Sequence, residues 1–540
     1  MNDPHVTRRG PLAAFAALLV VACSLPSAAL AQGDTAPDPP SAVTAPAVKP
    51  AAKPATRKKV TTRRRRTRHA SSKARAPLHY TTPFSTVALA SDMGTFLTAR
   101  VRSGEWGVMV VSLTRGDTLF AYNAGEALQP ASNMKLFTTA LALDEFGADH
   151  EFHTDVMRTG PITPDGTLHG DLILRGGGDP GLSRRFYGND SGAMDSLAAL
   201  AAASGIRRVT GSLIADASAF DPQRIPEGWQ TRYLQSSYAA RVSALSLNEN
   251  LATVVIRPGR KVKQAAAVTL EPAADLPLTA VVITREGRGA RIMARSTPTG
   301  GIEVRGWIGT RAGQRSYVVV VEDPTAYTAG AFRHALEARG VTITGPTRYA
   351  VTPPEAVTLT SLSSPPLSQL IAQMNGESIN LYAELLFRDA ARKVAGNGVG
   401  SAEGGSSLLQ TLLTGKAGVA SGAVTTVDGS GLSVMDKVTP RSLVKLLAFA
   451  NQAPWSAAFH ESLPIAGTSE LLRNRMRSTP AQGNLHAKTG TTNTVISLGG
   501  YVTARDGEQL AFAFIYNGTD RWNAKETIDA MGATLAGFAR

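Results

Sequence analysis

The chain holds one cysteine, Cys23, in 540 residues. No internal disulfide can form, so stability must come from packing even in an oxidising compartment. Charged residues are few, 18% against 43% apolar, which argues against a solvated, disordered polymer and for a folded protein. No fixed-period repeat is present. The apolar run near the N-terminus is too short to span a bilayer comfortably. Acidic residues are absent from residues 53–75, "KPATRKKVTTRRRRTRHASSKAR", where eleven Lys and Arg carry most of the net charge of +14.

These gaps divide the chain. Residues 1–31 read as an export signal, with Arg8 and Arg9 ahead of the apolar run and Ala29-Leu30-Ala31 as a small-x-small cleavage site. "VVAC", ending at Cys23, also resembles a lipobox, so lipid attachment at Cys23 stays open as the second processing route. Thr7-Arg8-Arg9 reads as an ordinary positive leader and not as a twin-arginine signal. Residues 32–76, Ala/Pro-rich and then basic, cannot bury apolar area and are expected to form a disordered linker. Export removes nucleic acid as a partner for the basic run, leaving anionic lipid headgroups, cell-wall polymers or solvent alone. The expected location is the periplasm or cell envelope. The remaining length calls for two or more domains.

The folded part opens with "WGVMVVSL" and "DTLFAYN", two β-rich runs separated by Arg115-Gly116-Asp117, which predicts a hairpin. From Ala131 the apolar residues Met134, Phe137 and Leu141 recur at helical spacing, with Ser132 near the capping position. At the other end "LHAKTGTTNTVISLGGYVT" and "QLAFAFIYNG" read as strands and "KETIDAMGATLAGFAR" as a helix, so one sheet is expected from both ends of the chain. Residues 165–350 hold many short strand runs and predict a β-rich inserted region of two small domains, between catalytic segments 77–164 and 351–540.

Single motifs here are weak. Ser132-x-x-Lys135 has a second match in Ser442-x-x-Lys445, and Ser378-x-Asn380 has one in Ser246-x-Asn248. Gly176-x-Gly178-x-x-Gly181 matches a dinucleotide fingerprint, but Pro180 and the want of a surrounding βαβ unit favour a turn. Order is what discriminates. Ser132-x-x-Lys135, then Ser378-x-Asn380, then Lys488-Thr489-Gly490 follow one another as in penicillin-binding proteins and class A β-lactamases. A spacing of three brings Lys135 to the face of Ser132, where desolvation can make its amine a base. Ser378 follows the helix-breaking Asn375-Gly376, and Gly490 lets a peptide backbone approach a strand edge. His486 shares the face of Lys488 and reads as packing.

The chain resembles the D-alanyl-D-alanine carboxypeptidase/endopeptidase family, the low-molecular-mass class C penicillin-binding proteins. Besides the three motifs, "GDLILRGGGDPGL", "VSALSLNEN", "NGESINLYAELLFR", "DGSGLS" and "GNLHAKTGTT" carry the likeness, over roughly residues 85–540. Ile379, where an acidic residue is common, and "AGTSELLRNRM" depart from it.

The resemblance implies an α/β fold: a penicillin-recognising serine transpeptidase/β-lactamase-like domain, sheet plus helical subdomain, with β-rich inserted domains. It implies Ser132 as nucleophile, Lys135 as its base and Ser378 as proton relay. Asn380, Lys488, Thr489, Gly490 and Thr491 would bind substrate, and the backbone N–H groups of Ser132 and Thr491 would form the oxyanion hole. The implied substrates are peptidoglycan stem peptides and crosslinks, with β-lactams as inhibitors and neither metal nor cofactor. Two rivals stay open: a β-lactamase, although no Glu-x-x-Leu-Asn stretch follows Asn380, and a non-catalytic wall-binding protein. If residues 32–76 are only a tether, limited trypsin digestion leaves a fully active fragment starting near residue 77. Loss of activity on trimming contradicts this.

Overall fold

The computed structural model describes residues 78–540. The export signal, Cys23 and the basic linker therefore lie outside the described residues. Among the described residues no helix is long and apolar enough to cross a membrane.

Helix α1 (Thr86–Ala99), capped by the Ser85 hydroxyl, precedes strands β1 (Glu105–Ser112) and β2 (Thr118–Tyr122) and helix α2 (Met134–Phe146). After the inserted region come helices α3 (Leu367–Glu377), α4 (Asn380–Val394), α5 (Ala402–Gly415) and α6 (Pro440–Gln452). Strands β3 (His486–Thr491), β4 (Val495–Thr503) and β5 (Gln509–Asn517) and helix α7 (Arg521–Gly537) close the chain.

The five strands form one antiparallel sheet in the order β3-β4-β5-β1-β2, so both ends of the chain meet where β1 pairs with β5, Val110 opposite Phe512. The predicted β1–β2 hairpin is present. All of β4 except Thr503 is buried. A strand covered on both faces reads as a nearly continuous apolar run, and each face here has its own core. Leu498, Phe512 and Phe514 pack with α1 and α7, whereas Ala511, Ala513 and Ile515 pack with α2 and the helices that follow.

The inserted region is built on a mixed five-stranded sheet in the order Thr347–Tyr349, Leu213–Asp216, Leu172–Gly176, His153–Arg158 and Val357–Ser363. Its outer pair, His153–Arg158 and Val357–Ser363, lies outside residues 165–350 and runs antiparallel, with His153 opposite Ser363. Three three-stranded sheets and helices Gly192–Ala203 and Pro324–Glu337 share one apolar core with it.

Leu172–Gly176 and Leu213–Asp216 are parallel neighbours with helix Gly192–Ala203 between them, so a βαβ unit does surround Gly176–Gly181. The glycines still form no phosphate cradle, because the short helix Arg184–Tyr187 separates them from that crossover helix. In the second Ser-x-x-Lys, Ser442 exchanges capping hydrogen bonds with Thr439 at the start of α6, and the exposed Lys445 reaches the Gly418 carbonyl. The second Ser-x-Asn is spent on loop contacts, Ser246 with the Ser243 carbonyl and Asn248 with the Arg184 N–H.

Candidate active site

Ser132 lies in a 3-10 turn, Ala131–Asn133, that runs into α2. Asn133, not Ser132, flanks the first residue of α2, and no side chain caps that end. Ser132 is thus free of capping duty. Ala131 takes a left-handed φ of 47°, a strain of roughly 1–3 kcal/mol that the surroundings must hold in place. They do so from β4, whose Ser497 hydroxyl donates to the Pro130 carbonyl at 2.7 Å.

One turn on, Lys135 is wholly buried because α2 is covered on every side from Met134 to Leu143. Its Nζ stands 3.1 Å from Ser132 Oγ, 2.6 Å from Asn380 Oδ1 and 2.8 Å from the Ser430 carbonyl oxygen. Burial lowers its pKa to about 7, against the opposing pull of Asp428, Glu384 and Asp436.

Ser378 ends α3 in a left-handed conformation, φ 60°, and only Ile379 separates it from α4. The break anticipated after Asn375-Gly376 therefore comes two residues later, since both belong to α3. This tight joint sends the Ser378 hydroxyl to Lys488, whose Nζ donates to it at 2.9 Å, and places Asn380 in the first turn of α4 against Lys135. Ile379 packs against the helical core. Lys488 is buried on β3, and burial together with the charge of Lys135 holds its amine well below the usual lysine range. Thr489 is nearly buried and Thr491 exposed at the end of the strand.

All three motifs thus converge, and a fourth segment joins them. In "DGSGLS" the buried Asp428 accepts N–H bonds from Ser430, Gly431 and Ser433, and so shapes the loop whose carbonyl meets Lys135. Beneath it, Glu384 is raised to about 8 and Asp436 well above the carboxylate range, in both cases by burial first and Asp428 second. His486 is half-buried on the same strand face as Lys488 and is held below the usual histidine range by burial.

A match to the D-Ala-D-Ala carboxypeptidase 3 (S13) family model extends over residues 95–537. The chain belongs to that family. It is 35% identical over 450 residues to the D-alanyl-D-alanine carboxypeptidase of Actinomadura sp. (strain R39), covering 80% of this chain and 81% of the relative. Against D-alanyl-D-alanine carboxypeptidase DacB of Haemophilus influenzae the identity is 26% over 423 residues, covering 76% and 85%. The solved penicillin binding protein 4 (dacB) from Haemophilus influenzae matches the fold with a TM-score of 0.70 at 23% identity, over 81% of this chain and 97% of that one. Family membership makes the protein a hydrolase with D-Ala-D-Ala carboxypeptidase function, and the penicillin-recognising α/β fold is the one described above.

Sequence reasoning quoted "DGSGLS" without giving it a task, and assigned nothing to Ser430, Asp428 or Glu384. A backbone carbonyl acts whatever side chain its residue bears, so Ser430 left no signal. Asp428 is the kind of residue that could have been found, as an Asp ahead of Ser-Gly in a turn. Gly490 offers a direct check on the geometry, because a Cβ there would stand 2.1 Å from Ser497 Oγ and 2.7 Å from the Pro130 carbonyl oxygen. Gly490→Ala is expected to displace the Ala131–Asn133 turn, costing about 1–3 kcal/mol of stability and most D-alanine release. Thermal melting and turnover measured together test this, and wild-type values in both contradict it.

Proposed function

We propose that Ser132 is the nucleophile of a serine D,D-carboxypeptidase that removes the terminal D-alanine of peptidoglycan stem peptides through an acyl-enzyme. The observation that carries this reading is the setting of Lys135. A neutral amine has two N–H bonds and one lone pair. Asn380 Oδ1 and the Ser430 carbonyl oxygen can only accept, so they take the two N–H bonds, and the lone pair is left for the Ser132 hydroxyl 3.1 Å away. With its pKa near 7, a large part of Lys135 is neutral at neutral pH.

Ser132 Oγ then attacks the carbonyl between the two terminal D-alanines while Lys135 takes its proton. The backbone N–H groups of Ser132 and Thr491 are the proposed oxyanion hole, at about 3–4 kcal/mol per donor. As the C–N bond breaks, Ser378, backed by Lys488, relays the proton taken up by Lys135 to the departing amine, and water then hydrolyses the ester to release the acyl group and restore the Ser132 hydroxyl. Asn380 and the β3 edge at Gly490 hold the peptide, while Lys488 with Thr489 attracts its terminal carboxylate. A crosslink also presents a carboxylate beside its scissile bond, which supports D,D-endopeptidase activity as a second function. Acylation by penicillins follows from the same chemistry. The leader at residues 1–31 supports work in the cell envelope.

A β-lactamase needs a deacylating group, and class A enzymes take it from a Glu-x-x-Leu-Asn loop that this chain lacks after Asn380. A wall-binding protein with relic motifs would not need Lys135 and Lys488 held buried against serine hydroxyls.

Labelled penicillin is expected to acylate Ser132 alone, leaving Ser132→Ala without adduct and Ser442→Ala labelled normally. Labelling of Ser132→Ala at the wild-type level overturns the assignment. Protonated Lys135 cannot accept a proton, so the acylation rate should rise with pH and level off above about 7, falling roughly ten-fold per unit well below it. A rate that stays flat between about pH 5 and 8 removes Lys135 as the base. D-alanine release from a pentapeptide, run beside a crosslinked dimer and a β-lactam, separates the activities. Fast β-lactam hydrolysis with no D-alanine released points to a β-lactamase, and inertness toward all three to the binding protein.

A further inference from the structure

Both groups that accept the N–H bonds of Lys135 are themselves held from the inserted region. Asn380, whose Oδ1 meets Lys135, donates its Nδ2 to the backbone carbonyl of Tyr238 at 2.8 Å. On the other side, the loop carrying the Ser430 carbonyl is gathered on one carboxylate. Asp428 accepts from the backbone N–H groups of Ser430, Gly431 and Ser433 at 2.9, 2.6 and 2.8 Å, and from the indole Nε1 of Trp229 at 2.7 Å. Asp428 is wholly buried and Trp229 is 7% exposed, with its ring packed against Tyr233, Ala239 and Leu432. Leu432 belongs to the same loop, so ring and N–H grip it together.

We infer that Trp229 and the short inserted segment ending at Tyr238 are positioning elements of the reaction, orienting the amine of Lys135 through Asp428 and Asn380. The inference rests on Lys135 being the base. An amine of this kind works only while its lone pair points at one hydroxyl, and that direction is set by where the two acceptors sit. If the loop shifts, the Ser430 carbonyl shifts with it and the lone pair swings off Ser132. The carboxylate of Asp428 moves as well, and with it part of the field on Lys135. Lys135 is faced by Asp428 and Asp436 from the loop, by Glu384 from α4 and by the Lys488 amine from β3. Asp428 favours the charged amine and the Ser430 carbonyl accepts from it, so loss of either lowers the pH at which the amine becomes neutral.

The experiment is Trp229→Phe in the full chain, which keeps a ring and removes the N–H donor. Acylation by a chromogenic cephalosporin is followed across pH by stopped flow, with the adduct mapped by mass. The expected result is a plateau rate lower by about ten- to a hundred-fold, a midpoint displaced to lower pH and an adduct still on Ser132. A plateau within two-fold of wild type overturns the inference, and so does a lowered plateau with an unmoved midpoint, because loosened packing alone predicts that. An adduct on any other residue instead sinks the assignment of Ser132, whatever the rates. If Trp229→Phe does not fold, benzothienylalanine placed at position 229 by suppression keeps the indole shape without the N–H, and the same three readings apply.

Discussion

The site depends on keeping one lysine amine dry. Water around Lys135 would restore its ordinary affinity for a proton and remove the base proposed for the reaction. Dryness follows from α2, which is buried along ten successive residues between the sheet and the helical subdomain. Stripping an amine of water is costly unless its hydrogen bonds are replaced, and here Asn380 and Ser430 replace them. The neighbouring carboxyls keep the amine from being driven lower still, since Asp428, Glu384 and Asp436 all favour its charged form. Burial alone would give an amine too weakly basic to hold a proton. Carboxyls alone would leave a permanent cation. The pKa near 7 is the balance of the two.

The same balance explains why the motifs are so far apart in the chain. A buried amine needs neighbours on every side, and no contiguous segment can surround it. Ser132 and Lys135 come from the turn and helix after β2, Ser378 and Asn380 from the α3–α4 joint, Ser430 from a loop and Lys488 from the edge of the sheet. Two of these approaches use left-handed backbone at non-glycine residues, Ala131 and Ser378. Such strain survives only where surrounding contacts over-determine the chain, and the bonds from Ser497 to Pro130 and from Lys488 to Ser378 supply them.

What could be read from sequence was whatever side-chain identity encodes. The ordered motifs, the N-terminal hairpin and a sheet shared by both chain ends were legible because Ser, Lys and strand-forming runs mark themselves. Less was legible where the backbone acts. The Ser430 and Tyr238 carbonyls would serve with almost any side chain, so nothing in the letters singles them out. The turn at Ala131–Asn133 looked helical because apolar spacing reports the helix behind it and not the 3-10 start. The βαβ unit around Gly176–Gly181 was missed for a related reason: strands of five and four residues, with a short helix intervening, leave too few repeats for periodicity to show the crossover.

An insertion of this size between the first two motifs costs the catalytic fold little, because its two ends run side by side. His153–Arg158 enters and Val357–Ser363 returns as an antiparallel pair, and the pairing continues down to the helices where the Ser364 N–H meets the Phe152 carbonyl and the Leu367 N–H meets the His150 carbonyl. The helical subdomain therefore sees a closed bridge between α2 and α3, whatever the bridge carries. Loop closure grows only slowly with length, so the insert was free to be long. It did not stay apart, however. Trp229 and Tyr238 come back to the acceptors of Lys135, and a region topologically dispensable to the sheet is wired into the amine on which the site depends.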